Sequence, residues 1–427
     1  MISILLGLGA ILAVRLIAGR LLRSPWAATL AASLFAVEPR FLFSSLSGME
    51  NNLLLALWAG GTAALFANRP LLSVILFSLA PVARPEAILV LPLVLPGFFM
   101  LFRQHRRVFW IFAAGLIPLV PVLSWMCFCW AATGHVLPNT YYLKAMPFHF
   151  SGKELATCWQ ALFANGLAVA WIYVIGLCGF LLTCVRRVTG LKIFALVTLL
   201  IVPAAYQAAV VGSRQILFVG YYWTRWLDPS CLMLAIPFCI GISACFSFRS
   251  MENSASLVRQ KDLLHVLART IGWVCLLFTL LHGAISFANR RAFLASDARA
   301  IHIMNVDPGL WIREHTTLGS VVAVNDAGAI RYFGQRHTLD LIGLNNATVA
   351  FKKETKADVI RQADWLVIFP YWFEGSPILK QVEAGFIPRK VIRIPREEYT
   401  ICPSLAQTLV VIYQKKPHEA DGCASVE

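Results

Sequence analysis

The chain has 427 residues, of which 58% are hydrophobic and only 14% are charged, and its mean hydropathy is +0.69. This composition excludes an ordinary soluble globular protein and predicts a membrane protein. The net charge of +15 does not indicate nucleic-acid binding, because Lys and Arg lie in short clusters between apolar segments rather than in one basic stripe.

Ten apolar runs are close to the length that crosses a bilayer, and they predict a mainly α-helical polytopic domain over residues 1–288. The first run lacks a basic n-region and a clear cleavage site, so we expect it to stay in the membrane. The runs lie near residues 2–18, 25–37, 52–67, 70–83, 87–102, 109–131, 164–184, 193–211, 228–247 and 270–288. The fourth and fifth form either a tight hairpin or one kinked element.

Basic loops alternate along the chain with loops that are poor in Lys and Arg. The positive-inside rule places the basic loops in the cytoplasm. They contain Arg20 and Arg23, Arg69, Arg103 to Arg107, Arg186 to Lys192, and Arg249 to Arg269. The N-terminus, the loops around Glu50, Arg84, Asn139 and Arg225, and the tail are then extracytoplasmic, as expected for a multi-pass protein of a bacterial cytoplasmic (inner) membrane.

From residue 289 to residue 427 the composition becomes that of a soluble α/β domain. Short β-type runs begin at Val321, Leu339, Trp365 and Leu409, and helices are predicted over 326–332 and 355–362. We expect a small, mostly parallel sheet covered by helices. Asp326 is interpreted as a helix N-cap, and the pattern Asn346-Ala347-Thr348 fits N-glycosylation but is common by chance.

The eleven cysteines do not indicate a disulfide framework, because most lie in or beside apolar segments and behave there as small hydrophobic residues. Cys402 and Cys423 are the only pair in the tail, and spacing leaves their bonding open. No C-x-x-C pattern is present, so no structural zinc site and no bound cofactor are predicted, while a metal requirement for activity stays open.

Two acidic residues at the ends of apolar runs are candidates for chemistry. Glu50 either stabilises a helix N-terminus or binds a sugar hydroxyl and accepts its proton. Glu86 lies beside Arg84, and the two side chains either pair with each other or bind a phosphate and a sugar. Carboxylates are scarce before the tail, since Asp228 is the only Asp before residue 262, and Glu50 is therefore the preferred base.

Two further loops offer binding groups. Asn139, Thr140, Tyr141 and Lys144 combine amide, hydroxyl, aromatic and cationic groups, which suit either a sugar phosphate or an aromatic belt at the membrane surface. In the other loop, Arg225 and Asp228 either pair at a helix start, or Arg225 acts with Arg214 to neutralise a lipid-linked phosphate.

Several motifs in chain order resemble the GT-C superfamily of integral membrane glycosyltransferases, most of all bacterial arabinofuranosyltransferases and mannosyltransferases. They are Ser47-Gly48-Met49-Glu50, Arg84-Pro85-Glu86, Leu137-Pro138-Asn139-Thr140-Tyr141-Tyr142-Leu143-Lys144, Asn325-Asp326-Ala327-Gly328-Ala329-Ile330 and Asp340-Leu341-Ile342-Gly343-Leu344. The resemblance implies transfer of a sugar from a polyprenyl-phosphate donor to an extracytoplasmic glycan, lipid or protein. Membrane lipid is then a further partner, and nucleic acid is not.

The sequence departs from that family at its start. The family carries its catalytic Asp in a large first outer loop after an initial membrane segment, and neither is expected in this chain. Either the true start lies upstream of Met1, or the chain is truncated. The functional alternatives are an enzyme that uses another base, a truncated non-catalytic membrane protein that binds glycans, and a secondary transporter, whose pathway is also lined by polar groups at broken helices.

Overall fold

The computed structural model describes residues 1–46, 48, 50–105, 116–144, 147–163, 167–185, 189–214, 226–247, 258–394 and 408–417. The chain divides into two compact units, which we call the helical unit (Met1–Phe128 and Met146–Arg291) and the sheet unit (Cys129–Ala145 and Ala292–Glu427). The fold is mainly helical with one small sheet near the C-terminus, in agreement with the predicted class.

The first half of the helical unit is built from apolar helices whose ends follow local sequence signals. Helix α2 begins at Pro25, and the Ser24 side chain accepts a hydrogen bond from the Ala27 amide at 3.3 Å. Helix α5 ends before Arg84, which is extended because it precedes Pro85. The helices are α1 (Ile2–Leu22), α2 (Pro25–Ala36), α3 (Pro39–Leu46), α4 (Asn51–Phe66), α5 (Pro70–Ala83), a 3₁₀ helix (Pro85–Leu93), α6 (Val94–His105) and α7 (Leu119–Thr133).

In the rest of the chain, two pairs of consecutive helices are each joined by a short π-helical segment. Helix α8 (Asn139–Lys144) lies in the sheet unit. The helices that follow it in the chain are α9 (Gly152–Phe163), α10 (Leu167–Val185), α11 (Gly190–Leu196), a π segment (Val197–Ile201), α12 (Val202–Arg214), α13 (Asp228–Ala244), α14 (Val258–Ile301), a second π segment (His302–Val306) and α15 (Asp307–His315). Buried side chains from α1, α2, α4, α5 and α13 form one continuous apolar core.

Three helices in the described part of the chain are long and apolar enough to cross a membrane: Ile2–Leu22, Gly190–Ser213 and Val266–His315. Seven other apolar helices have 10–17 residues. Each of the ten predicted apolar runs overlaps one of these helices, although residues 109–115 and 164–166 of two runs lie outside the described residues. The three long helices are compatible with membrane association. Ten membrane crossings are therefore a prediction that length alone does not establish.

The sheet unit contains five strands in the order β2-β1-β3-β5-β4. Strands β1, β2 and β3 are parallel, whereas β5 is antiparallel to both β3 and β4. The prediction of a mostly parallel sheet is therefore wrong in half of the pairings. The strands are β1 (Val321–Val324), β2 (His337–Asp340), β3 (Trp365–Ile368), β4 (Phe386–Arg393) and β5 (Leu409–Lys415).

Sequence reasoning missed β4 because its side chains are largely exposed and charged, and the run includes Pro388, Arg389 and Lys390. The predicted helices are confirmed as α16 (Ala327–Gly334) and α18 (Lys356–Gln362). The short helices α17 (Ala347–Ala350) and α19 (Pro377–Gly385) complete the unit. Apolar clusters pack on both faces of the sheet, as expected for strands that are buried on two sides.

Candidate functional site

A chain of polar contacts joins three helices within the helical unit. The Glu50 carboxylate lies 3.3 Å from the Arg84 guanidinium, which donates a hydrogen bond to Asn51 Oδ1 at 2.9 Å. Asn51 Nδ2 in turn donates to Asp228 Oδ2 at 3.4 Å. The structure therefore brings together Glu50, Arg84 and Asp228, which the sequence singled out separately, and we call these residues with Asn51 the polar cluster.

Helix ends place the four side chains of the polar cluster. Glu50 immediately precedes α4, but its side chain makes no capping hydrogen bond and pairs with Arg84 instead. The Arg84 side chain enters from the extended residue between α5 and the 3₁₀ helix, and Asp228 begins α13. Glu50 therefore lies at the start of a helix, as one interpretation expected, but its carboxylate is used in an ion pair and not in a capping hydrogen bond.

The burial of the polar cluster is uneven. The side chain of Arg84 is only 5% exposed, whereas that of Glu50 is 42% exposed. A buried guanidinium without a nearby negative charge would cost several kcal/mol, so Glu50 and Asn51 compensate its loss of water. The accessible end of the cluster is thus a carboxylate, and the cation lies behind it.

Asn52, next to the polar cluster, fixes the surrounding helices. Its side-chain oxygen accepts from the Ser44 hydroxyl at 2.9 Å, and its amide nitrogen lies 2.9 Å from both the Ser3 carbonyl and the Ser45 hydroxyl. These bonds link α4 to α1 and α3. The start of α4, and with it Glu50 and Asn51, is therefore held by the hydrogen bonds of the buried Asn52 side chain.

A second buried cation, Arg40, was missed by the sequence reasoning. Arg40 donates a hydrogen bond to the Ala161 carbonyl and interacts electrostatically with Asp228 and Glu38. Glu38 itself accepts from the Phe41 amide at 2.8 Å. The available signal was a Glu-Pro-Arg sequence between two apolar runs, since ionisable residues at such positions are costly unless paired or used.

A cavity of about 60 Å³ lies beside Glu38 in the helical unit. Its walls are mainly apolar and come from α2, α10, α13 and α14, and the ionisable groups that line it are Glu38, Tyr173, Cys239 and His282. The volume accommodates a few water molecules or methylene groups. It is too small for a sugar, so it is not the candidate substrate site.

The predicted loop residues Asn139, Thr140, Tyr141 and Lys144 all belong to α8 in the sheet unit. Asn139 is buried, and no described residue forms a hydrogen bond with its Oδ1, whereas Thr140 and Tyr141 are exposed. Rings of His135, Tyr142 and Phe351 pack beside this helix, with His135 stacked on Phe351 at 3.5 Å. The aromatic-belt and sugar-phosphate interpretations both remain compatible with this arrangement.

The remaining predicted site residues are Glu86, Arg214 and Arg225. Glu86 lies in the first turn of the 3₁₀ helix and is half-buried, while the ion pair of Arg84 goes to Glu50. Arg214 is the last residue of α12, and its side chain lies outside the described residues, as does all of Arg225. Cys402 and Cys423 also lie outside them. Their proposed roles stay predictions.

Polar side chains also gather at the carboxyl ends of the parallel strands of the sheet unit. Asn325 Oδ1 accepts from the Phe369 amide at 3.0 Å, and Asn305 Nδ2 donates to Asp326 Oδ2 at 2.8 Å. Asp326 is the N-cap residue of α16 as predicted, although its side chain accepts from Asn305 and makes no capping hydrogen bond. Asp340, the last residue of β2, accepts hydrogen bonds from two backbone amides of the following turn.

Two buried atoms at this strand edge have no partner within the part of the chain that the structure describes: Asn325 Nδ2 and Asn305 Oδ1. Leaving such a group unpaired costs about 1–3 kcal/mol, and native proteins usually satisfy it with water or a ligand. Within the described ranges, no three His, Cys, Asp or Glu side chains are grouped closely enough to hold a metal ion.

Comparison with protein families gives one match. Residues 297–413 match a family model described as "Domain of unknown function (DUF8728)". This range covers the sheet unit from the end of α14 to β5, and about a quarter of the chain. A search of curated proteins finds no match. The match marks the sheet-bearing segment as a recurring domain and leaves its activity open.

Proposed function

We propose that this protein is an integral membrane glycosyltransferase of the GT-C kind. It moves a sugar from a polyprenyl-phosphate donor to an extracytoplasmic glycan, lipid or protein acceptor. The observation that carries the proposal is the polar cluster, in which an accessible carboxylate at Glu50 is backed by the buried guanidinium of Arg84 within apolar helices. Such a pair is costly in this environment unless it is used.

The polar cluster matches the chemical demands of glycosyl transfer. A base must accept the proton of the acceptor hydroxyl, and positive charge must stabilise the departing phosphate. In the proposed step the acceptor oxygen bonds to the anomeric carbon, and the bond from that carbon to the phosphate oxygen breaks. The proton goes to Glu50, and the bonding electrons leave with polyprenyl phosphate.

The ion pair links the two halves of this step. When Glu50 accepts the proton it loses its negative charge, and the Arg84 guanidinium is then available to the phosphate as the phosphate gains charge. Asn51 and Asp228 act behind Arg84 by holding it in place. This assigns Glu50 a catalytic role and Asn51 and Asp228 positioning roles.

The membrane arrangement is part of the proposal. The ten apolar helices cross the bacterial cytoplasmic membrane, and the sheet unit, Glu50 and Arg84 face its outer side. Reporter fusions after Leu318 and within the basic loop around Arg103 test this arrangement. A cytoplasmic signal at Leu318 would contradict it.

The direct test of the proposal measures transfer from polyprenyl-phosphate sugars by the purified full-length protein. We expect Glu50→Gln to lower the rate by about 100-fold or more, as for loss of a general base. Arg84→Lys keeps the charge but loses the planar fork, and we expect about a tenfold loss. Glu314→Gln, at a carboxylate that is 60% exposed in the sheet unit, is the matched control and should equal the parent.

Equal rates for Glu50→Gln and the parent would refute the site, and no transfer with any donor would favour the non-catalytic glycan-binding alternative.

A secondary transporter is the second candidate, because α5 is interrupted at Arg84 and transporters place binding groups at discontinuous helices. Sugar uptake into proteoliposomes without transfer to an acceptor would support that candidate.

A further inference from the structure

We propose that the sheet unit binds a neutral, polyhydroxylated ligand, a carbohydrate, at the carboxyl ends of β1 and β3. We call this place the β1–β3 crevice, formed by Asn305, Asn325, Asp326, Tyr371 and Trp372. Identifying this ligand with the acceptor glycan rests on the proposed function. The binding itself does not, because it requires no transfer.

The strand order creates the β1–β3 crevice. From β1 the chain passes through α16 to β2 on one side of β1, and from β2 it passes through α17 and α18 to β3 on the other side. From β3 the chain leaves through the 3₁₀ helix Pro370–Phe373 and α19 toward β4, on the side of β3 away from β1. The connections that leave β1 and β3 therefore run in opposite directions from their neighbouring carboxyl ends. Open α/β sheets bind ligands at such a switch point.

Two buried polar atoms beside these strand ends have no hydrogen-bond partner among the described residues. Asn325 directly follows β1 and bonds the Phe369 amide directly after β3, so its side chain lies between the two strand ends. Asn325 is 3% exposed and Asn305 is 4% exposed, and Asn305 is anchored to Asp326, the neighbour of Asn325. One amide thus offers an unused donor and the other an unused acceptor.

The available groups suit a sugar better than an anion. A hydroxyl can accept from Asn325 Nδ2 and donate to Asn305 Oδ1 at the same time. Tyr371 and Trp372, in the turn after β3, are 59% and 51% exposed and present rings to the apolar face of a sugar. The segments 325–326, 340–345 and 369–373 contain no Lys or Arg, whereas phosphate sites normally use them.

The test titrates the purified full-length protein with methyl glycosides of hexoses and pentoses, and follows binding by ligand-observed NMR. We expect saturable binding by the parent. Removing one ring or one hydrogen bond should weaken it by about five- to tenfold, so Trp372→Ala and Asn325→Ser are the variants. Tyr332→Ala, at an exposed ring on the second half of α16, is the matched control and should bind like the parent.

Several results would overturn the inference: no saturable binding of any glycoside, unchanged affinity in Trp372→Ala, or binding only of inorganic phosphate or of Ca²⁺ that EDTA abolishes. If Asn325→Ser does not fold, Trp372→Ala decides alone, because that side chain is half exposed. Glycoside binding without transfer would refute only the proposed function. Transfer by the parent without glycoside binding would refute only this inference.

Discussion

Replacing Gly241 by alanine should destabilise the helical unit, because α10 and α13 cross where no side chain fits. A Cβ built on Gly241 would overlap the carbonyl oxygen of Gly176. On the facing helix, a Cβ on Gly179 would lie 2.6 Å from the Gly241 carbonyl oxygen, and one on Gly176 would lie 2.8 Å from the Phe238 carbonyl oxygen. These obstacles are backbone atoms, so the helices themselves must separate.

The size of the effect follows from this geometry. Forcing an extra methyl group into a packed core costs about 1–3 kcal/mol, and we expect the upper half of that range because no rotamer change relieves the contact. Gly9→Ala on α1 is the matched control, since nothing lies within 4 Å of its Cβ position. There the same substitution should stabilise the helix by up to about 1 kcal/mol.

The assay is thermal unfolding of both variants and the parent in the same detergent, followed by circular dichroism. The two substitutions should shift the transition in opposite directions. A Gly241→Ala protein that unfolds at or above the parent's temperature would show that α10 and α13 do not approach at these glycines.

Three further substitutions test other parts of the structure. Thr355→Ala removes the capping box of α18 and should lower the free energy of unfolding of the sheet unit by about 1 kcal/mol in urea titrations. Hydrogen bonds from Thr355 hold the pKa of Asp358 below its ordinary value of 3.8, so this carboxylate stabilises the fold above that pH and the stabilisation disappears as the pH falls through the lowered pKa. Asp358→Asn should therefore flatten the acid limb of stability against pH, and an unchanged limb would contradict this. Asn52→Ala removes the hydrogen bond from the Ser44 hydroxyl and the bonds from the Asn52 amide to Ser3 and Ser45. It should cost about 1–3 kcal/mol in detergent unfolding, whereas a neutral result would refute the anchoring of α4.

Part of the candidate site could be predicted from sequence. Glu50, Arg84 and Asp228 were identified singly, because ionisable residues stand out at the ends of apolar runs. Their contacts could not be predicted, since Glu50 and Asp228 are 178 residues apart and periodicity carries no information on which helices pack together. Arg40 was missed for the same reason, because its role depends on Asp228 and Ala161.

The sequence by itself determined the apolar helices, the α/β segment and four of its five strands, because hydrophobic runs and turn signals act over short distances. Only the tertiary structure decided that β4 pairs with β5, that the Asp326 side chain bonds Asn305 instead of an amide of α16, and that Arg84 pairs with Glu50. Each of these contacts joins residues that are not neighbours in the chain. They depend on how helices and strands pack in three dimensions, which local sequence patterns do not specify.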